Sequence, residues 1–147
     1  ASAGARVMNC TVVGNFTTGN GGGILRVSGG VTNTIIFGNF ASGTGADISG
    51  TAGFGYSCSP DLEQDPLGSG NINQDPLFTF MGSGYGLAHV FGNYRLTAAS
   101  PAVNSGWLVP EWSLEFDLEG NRRVLEGRID RGCYEFPTRQ GSIIVYY

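Results

Sequence analysis

Two stretches of the chain have nearly the same pattern and decide the fold: Asn9-Cys-Thr-Val-Val-Gly-Asn-Phe16 and Asn33-Thr-Ile-Ile-Phe-Gly-Asn-Phe40, which lie 24 residues apart. The following segments keep this offset, because Gly19-Asn-Gly-Gly-Gly-Ile24 aligns with Gly43-Thr-Gly-Ala-Asp-Ile48. Several matches at one offset indicate an internal repeat, which is the signature of a fold built from stacked units.

A third, weaker copy follows at the same offset. Cys58 comes 24 residues after Thr34, and Ile72 comes 24 residues after Ile48. This register places Cys10, Thr34 and Cys58 above one another. The inward-facing aliphatic column it predicts consists of Val12, Ile24, Ile36, Ile48 and Ile72.

The pattern within each repeat is that of short strands and tight turns. Residues 6–13 and 31–37 are rich in β-branched side chains, and both segments end at Gly-Asn. Residues 1–72 show no helical spacing of apolar positions. We therefore predict an all-β fold, a right-handed parallel β-helix (β-solenoid) of about three coils. Asn15 and Asn39 are expected to stack at one corner of successive coils.

Composition excludes several other classes of protein. Glycine accounts for 25 of 147 residues, charged residues for 14% and hydrophobic residues for 41%. This hydrophobic content is sufficient for a core, so the chain is not a charge-rich disordered segment. The glycines follow no Gly-X-Y period, which excludes collagen. No apolar run reaches the length of about 18 residues that a membrane span needs.

Charge argues against a nucleic-acid partner. The formal net charge is −4, and all eight basic residues are arginines. Recognition of nucleic acid needs a basic patch, and the one arginine cluster of the chain is largely neutralised by acidic neighbours. That cluster comprises Arg122, Arg123, Arg128 and Arg131, and its acidic neighbours are Glu119, Glu126 and Asp130.

Three cysteines, Cys10, Cys58 and Cys133, lack the Cys-x-x-Cys spacing of a zinc site. In the predicted register Cys10 and Cys58 lie two coils apart, about 10 Å between Cα atoms. A disulfide spans at most about 7 Å, so this pair is not expected to form one. Free buried thiols are the preferred interpretation, and a link between Cys58 and Cys133 stays open if the C-terminal segment folds back.

The repeat ends after Ile72, which divides the chain into three regions. Residues 1–78 are the predicted coils, residues 79–136 a C-terminal cap continuous with them, and residues 137–147 a β-prone tail.

The order of motifs resembles bacterial right-handed parallel β-helix repeat proteins that end in a choice-of-anchor Q domain. The resemblance covers about residues 6–136. It implies a secreted or surface-attached protein with a structural or adhesin-like role, and some β-helix relatives degrade polysaccharides. Besides the repeats themselves, the matching segments are Tyr56-Ser-Cys58, Gly70-Asn-Ile72, Asp75-Pro-Leu-Phe78, Tyr94-Arg-Leu96, Ser100-Pro-Ala102, Asp117-Leu-Glu-Gly-Asn-Arg122 and Ile129-Asp-Arg-Gly-Cys-Tyr-Glu135.

One group of residues is a candidate metal site. Asp61, Glu63 and Asp65 place oxygen ligands at alternate positions, a spacing that suits Ca²⁺. The competing interpretation is that Asp65-Pro66 and Asp75-Pro76 are turn caps, and we favour it. Calcium is the one cofactor that the sequence suggests.

Other candidate residues have structural explanations. His89 is the single histidine and has no recognisable nucleophile partner, so we interpret it as structural or surface-exposed. An aromatic set suggests a sugar-stacking surface, but covering the open end of a hydrophobic column explains it equally well. That set consists of Tyr94, Trp107, Trp112 and Phe116.

The two ends of the chain suggest self-association. The chain enters a coil strand directly at Arg6, and it finishes with the uncharged β-prone run Ile143, Ile144, Val145, Tyr146 and Tyr147. Strand addition between chains, head-to-tail into fibres or a surface layer, would use both features. The alternative is that the chain is a fragment whose upstream coils are missing and whose tail pairs within its own cap.

These observations predict a non-enzymatic, secreted or cell-surface structural or adhesive module without a membrane span. The scarcity of ionisable groups in residues 1–60 argues against an enzyme. The alternative function is a carbohydrate-binding or polysaccharide-degrading β-helix protein with surface glycans as partners. A carboxylate cluster facing a groove with an arginine within reach would favour that alternative.

Overall fold

The structure, a computed structural model, describes residues 4–25, 29–50, 53–62, 69–108 and 116–137. In these ranges the chain is all-β with almost no helix, and its single helical element is a short 3₁₀ turn over Gly86–Ala88. The strands are β1 Arg6–Met8, β2 Thr11–Val12, β3 Phe16–Thr17, β4 Ile24–Leu25, β5 Gly30–Thr32, β6 Ile35–Ile36, β7 Phe40–Ala41, β8 Ile48–Ser49, β9 Phe54–Gly55, β10 Phe78–Phe80 and β11 Asn93–Leu96.

Parallel pairing stacks the repeats in four columns of strands. We call β1–β4 the first repeat, β5–β8 the second repeat, and residues 54–59 the third repeat. The columns are β1-β5-β9, β2-β6, β3-β7 and β4-β8, and every pair within them is parallel. The strands β10 and β11 form a separate antiparallel pair. The prediction of a repeat-like, β-rich fold is confirmed at this level.

The 24-residue offset is confirmed between the first and second repeats. Thr11 pairs with Ile35, and Ile24 pairs with Ile48. Asn9 and Asn33 both occupy the left-handed region, with φ of 51° and 49°. Their side chains are joined across the 24 residues by a hydrogen bond of 3.1 Å from Asn33 Nδ2 to Asn9 Oδ1.

The predicted offset of the third copy is wrong by one residue. Cys58 pairs with Ile35 rather than lying over Thr34, and Ser57, 23 residues after Thr34, takes that place. The shift arises between β8 and β9, because the offset is still 24 at Ser49, which pairs with Leu25, and is already 23 at Phe54, which pairs with Val31. Tyr56, with φ of 50°, consequently stands at the corner that Asn33 occupies in the second repeat.

The aliphatic column is confirmed as far as Ile48. The first apolar cluster consists of Val31, Ile36, Ile48 and Phe54, with Val7, Val12, Ile24 and Leu62 packed against it. Ile72 does not join this cluster. It forms a parallel bridge with Cys58, because the chain returns to this column after only a short excursion.

Ile35 and Ile36 show how the C-terminal region is attached. Adjacent residues of a strand point to opposite faces, and both isoleucines are fully buried. Ile36 lies in the first apolar cluster, whereas Ile35 packs with the C-terminal region. The described residues of 79–136 therefore lie against the outer face of the β2-β6 column through Leu96, Ala102, Val103 and Phe136. The second apolar cluster comprises Ile35, Cys58, Leu96 and Ala102, flanked by Phe37, Ile72, Phe78, Val103 and Phe136.

The predicted asparagine stack at the next corner is confirmed. Asn15 donates from Nδ2 to Asn39 Oδ1 at 2.9 Å, and its backbone N–H donates to the same oxygen at 2.9 Å. Gly14 and Gly38 precede these asparagines with φ of 69° and 68°. A Cβ at Gly14 would overlap the His89 ring, so glycine both sets the corner and allows residues 81–89 to lie over it.

Candidate functional site

The outer side of β1–β4, opposite the second repeat, is called the first-repeat edge. The carbonyl oxygens of Asn15 and Thr17 accept hydrogen bonds from Phe40 N and Ser42 N, of 2.9 and 3.1 Å. In a parallel pair alternate residues face the same neighbour, so the backbone groups of Phe16 face the other way. Among the described residues, no strand pairs with this side of β1–β4.

Aromatic rings extend along this part of the surface. The rings of Phe16 and Phe40 stack with centroids 5.7 Å apart and planes 1° apart. Tyr85 covers part of Phe40, with centroids 5.5 Å apart. Phe16 remains 52% exposed, so one face of the stack is available at the first-repeat edge.

The opposite end of the repeats is covered at the third repeat and at β8. The Tyr56 N–H donates to Ser69 O at 2.8 Å, and Ser59 N–H donates to Ile72 O at 3.0 Å. The Asp61 Oδ2 atom accepts hydrogen bonds from the N–H groups of Asp47 and Ile48, of 2.7 and 2.8 Å. These contacts occupy backbone groups that would otherwise be open for pairing.

Asp61, one of the three predicted calcium ligands, has a structural role at this end of the repeats. The Asp61 carboxylate covers the end of β8, whereas Glu63 and Asp65 lie outside the described residues. Within the described ranges, no three His, Cys, Asp or Glu side chains are grouped so that they would hold a metal ion. The calcium site stays a prediction.

A buried carboxylate supports the asparagine corner. Asp47 Oδ1 accepts hydrogen bonds of 2.8 Å from both the N–H and the Nδ2 of Asn39. Burial raises the pKa of Asp47 above its ordinary value, and the hydrogen bonds from Asn39 oppose that rise. Asp47 thus fixes the Asn39 amide, which in turn fixes Asn15.

The C-terminal region donates hydrogen bonds to backbone carbonyls along one corner of the repeats. We call the stacked corner residues Asn9, Asn33 and Tyr56 the corner column. We call the contact of the C-terminal region with this corner the seam. It consists of three hydrogen bonds, one to each repeat: Arg123 Nη2 to Asn9 O at 3.3 Å, Gly132 N to Asn33 O at 2.8 Å, and Arg131 Nη1 to Ser57 O at 2.9 Å.

Trp107 extends the seam. Its backbone N–H donates to Asn33 Oδ1 at 2.7 Å, and its carbonyl accepts from Asn33 Nδ2 at 2.9 Å. Its ring stacks on Tyr56, with centroids 5.7 Å apart. Trp107 therefore lies beside the corner column. The sequence suggested that it covers the open end of the apolar column, and the structure does not place it there. Trp112, predicted with it, lies outside the described residues.

A buried ion pair stabilises the seam. Arg123 Nη1 and Glu135 Oε1 lie 2.7 Å apart, with side chains 1% and 3% exposed. Glu135 Oε2 also accepts a hydrogen bond of 3.0 Å from Asp130 N. Burial and the nearby Asp130 carboxylate raise the pKa of Glu135 to about 8, although Arg123 opposes the rise. Burial likewise raises the pKa of Asp130.

Two further buried groups meet at the third repeat. Burial lowers the pKa of Arg131 to about 10, and burial raises the pKa of the Cys58 thiol to about 12. A thiol of that pKa is inert as a nucleophile at neutral pH. All three cysteines are free, and the link between Cys58 and Cys133 that the sequence left open is not formed.

A cleft of about 630 Å³ opens between the β10-β11 pair and the C-terminal residues. Arg95 and Glu119 form an exposed ion pair at this cleft, with Arg95 Nε 2.9 Å from Glu119 Oε2. Leu96 and Phe136 contribute apolar surface. The remaining lining residues are Thr79, Asn121, Arg122, Leu125, Glu135 and Pro137.

His89 has a structural setting. Its Nδ1 lies 3.0 Å from Gly84 O, and its Nε2 lies 2.7 Å from the Tyr94 hydroxyl. Since a carbonyl only accepts, Nδ1 carries the proton of the neutral ring and Nε2 accepts from Tyr94. The ring anchors residues 84–94 over Gly14. Phe116, from the predicted aromatic set, is 48% exposed.

The predicted assembly residues Ile143, Ile144, Val145, Tyr146 and Tyr147 lie outside the described residues. In the ranges that the structure covers, no helix is both long and apolar enough to cross a membrane.

Sequence reasoning missed the seam. The acceptors for Arg123 and Arg131 are backbone carbonyls 114 and 74 residues away, and a carbonyl has no signature in the sequence. The grouping of four arginines with three acidic residues was the available signal. The sequence suggests a neutralised surface there, whereas three of its members, Arg123, Arg131 and Asp130, are buried. In comparisons with known proteins, no family model, no curated protein and no solved structure matches the chain.

Proposed function

We propose that this chain is a non-enzymatic structural or adhesive module, secreted or attached to the cell surface, that associates with other copies of itself. Its finer architecture would be the right-handed parallel β-helix of choice-of-anchor Q proteins. Four columns of parallel strands and stacked asparagines support this architecture. Such repeats are specified by contacts between neighbours and need few charges.

The observation that carries the proposal is the first-repeat edge. Four strands offer backbone donors and acceptors on this side, and no described strand pairs with them. Exposed edges of this kind pair with other chains unless they are blunted by charge, proline or a covering segment. Self-association is the function that uses this surface.

Sedimentation of the 147-residue chain over a wide range of concentrations tests the proposal. The weight-average mass is expected to rise with concentration and to fall again on dilution. A mass that stays at one chain up to millimolar concentration would remove self-association. A chain truncated after Pro137, measured in parallel, tests whether the tail residues 143–147 contribute.

A second candidate, binding of surface glycans, is favoured by the cleft. Polar side chains around an apolar floor, in a volume of about 630 Å³, suit a short saccharide. A glycan array with the intact chain is the appropriate measurement. Binding that Arg122→Ala abolishes, and that Arg128→Ala leaves unchanged, would support this function, whereas an array without signal would oppose it.

A further inference from the structure

The connection between β10 and β11 exposes a group of large apolar side chains. We call residues 80–92 the apolar loop. Leu87 is fully exposed and Phe91 is 81% exposed. A single exposed apolar residue needs no explanation, whereas several in one short segment are typical of a contact surface. The exposed apolar side chains of the loop are Phe80, Tyr85, Leu87, Val90 and Phe91.

The apolar loop carries no aspartate, glutamate, lysine or arginine. The sequence has none of these residues between Asp75 and Arg95. His89, within the loop, is engaged by the Tyr94 hydroxyl at 2.7 Å. Arg95, just beyond it, is paired with Glu119. A partner that binds through this loop therefore meets apolar side chains without ion-pairing groups among them.

Hydrogen bonds inside the protein hold the backbone of the loop. Ser83 N donates to Val90 O at 3.1 Å, and Val90 N donates to Ser83 O at 2.7 Å. Gly86 N donates to Gly14 O at 2.7 Å, which fixes the turn over Gly86–Ala88 to the first repeat. In an apolar medium each unpaired backbone group costs free energy, so a frame with its donors paired internally suits contact with hydrocarbon.

The base of the loop lies beside the second repeat. A Cβ at Gly38 would overlap the Met81 side chain, and a Cβ at Gly92 would overlap the carbonyl oxygen of Phe80. Phe80 and Phe91, which adjoin these residues in the sequence, therefore stand at the level of the second repeat. A further repeat ahead of β1 would stack on the first repeat and would not cover them.

We propose that the apolar loop docks on a lipid bilayer, with Leu87 and Phe91 in its interfacial region. Aliphatic and aromatic side chains without charge are those that partition there. A protein partner fits less well, because protein interfaces add about ten hydrogen bonds to their apolar contacts. The net charge of −4 favours a zwitterionic bilayer over an anionic one. This inference rests on the proposed attachment to the cell surface and is independent of self-association.

Co-sedimentation of the intact chain with phosphatidylcholine vesicles tests the docking. The chain is expected to pellet with the vesicles at low and at high salt alike, because no ion pair contributes. A sample without vesicles gives the amount that sediments through self-association alone. No binding by a chain that still self-associates would overturn the lipid partner and leave self-association standing. Binding confined to vesicles that contain phosphatidylglycerol would also overturn the proposal.

Polar substitutions test where the contact lies. Leu87→Ser and Phe91→Ser are each expected to lower the vesicle partition coefficient about tenfold, because each removes one large apolar side chain from the bilayer. Leu118→Ser is the matched control, since Leu118 is 70% exposed in the C-terminal region. Equal effects at all three positions, or none at the loop, would overturn the assignment. A loop variant that self-associates less but binds vesicles unchanged would also overturn it, since the loop would then contact a second copy.

Leu87→Trp reports whether the loop enters the bilayer. Its fluorescence, compared with that of the wild-type chain, is expected to shift to the blue on addition of vesicles and to be quenched by brominated acyl chains. Leu118→Trp is the control and should show neither change. Emission at position 87 that brominated lipid leaves unquenched would place the loop outside the bilayer and overturn the proposal. Circular dichroism of every variant checks that the fold is retained.

Discussion

Arginines at the seam show how a charged side chain can belong to the interior. The Arg123 guanidinium has the Glu135 carboxylate at 2.7 Å and two backbone carbonyls as acceptors, Asn9 O and Gly132 O. Removing one member of a buried pair leaves the other charge without compensation, which is more harmful than replacing both. The C-terminal region contains two arginine–glutamate pairs, of which Arg123–Glu135 is buried and Arg95–Glu119 is exposed.

Arg123→Met is expected to lower the free energy of unfolding by about 1–3 kcal/mol, because Glu135 Oε1, Asn9 O and Gly132 O would lose their buried donor. The double variant with Glu135→Gln should recover part of that loss. Chemical denaturation measures both. Arg95→Met, in the exposed pair with Glu119, is the control and should have a much smaller effect. Equal losses of stability for Arg123→Met and Arg95→Met would show that burial does not make the Arg123–Glu135 pair the more important one for stability.

At the scale of the element, asparagine columns hold neighbouring repeats in register. Asn33 combines a left-handed backbone with a side chain that bonds both Asn9 and Trp107. Glycine tolerates that backbone equally well but has no amide. Substitution by glycine therefore separates the hydrogen bonds from the conformation.

Asn33→Gly is expected to lower the free energy of unfolding by about 1–3 kcal/mol, since buried groups on Asn9 and Trp107 lose their partner. Asn104→Gly is the matched control, because Asn104 has nearly the same φ of 52° while its side chain takes no part in the corner column. Thermal and urea denaturation provide the measurement. A similar loss in both variants would mean that the backbone conformation, rather than the amide, is responsible.

The sequence predicted the elements that repeat and missed those that do not. The match between residues 9–16 and 33–40 was sufficient for strand pairing, because equal side chains at equal spacing stack on one another. The one-residue shift of the third repeat was not predictable, since it places Tyr56 at the corner that Asn33 occupies and tyrosine rarely adopts the left-handed region. The candidate site was predicted in part: the open edge followed from the pattern, and the covered end depended on contacts of Ser69 and Asp61.

For the whole molecule, buried carboxyl groups make stability dependent on pH. The pKa of Glu135 is about 8 when folded, above its ordinary value of 4.5. The folded chain then holds a proton that the unfolded chain releases between these values. This contribution to stability is complete below about pH 4.5 and is lost as the pH rises through about 8. Asp130 and Asp47, whose pKa values are also raised by burial, act in the same direction.

The free energy of unfolding is therefore expected to fall between about pH 5 and pH 9. Above about pH 9 Cys58, with a pKa of about 12, continues the fall, and above about pH 10 Arg131, with a pKa of about 10, opposes it. Urea denaturation at a series of pH values measures the slope. Glu135→Gln should flatten the curve between about pH 5 and pH 8, with Glu126→Gln, at an exposed position, as the matched control. Stability that rises over this range in the wild-type chain would contradict the buried arrangement.

The seam has a consequence for how such a chain can grow. Each repeat is contacted by a different residue of the C-terminal region, namely Arg123, Gly132 and Arg131. These three contacts can form together only if the three repeats are adjacent. A duplicated unit inserted between the first and second repeats would move Asn9 about 4.8 Å out of reach of Arg123. A unit added ahead of β1 would leave all three contacts in place. Duplication of repeats is thus tolerated ahead of β1, whereas the contacts of the seam fix the number of repeats between Asn9 and Ser57.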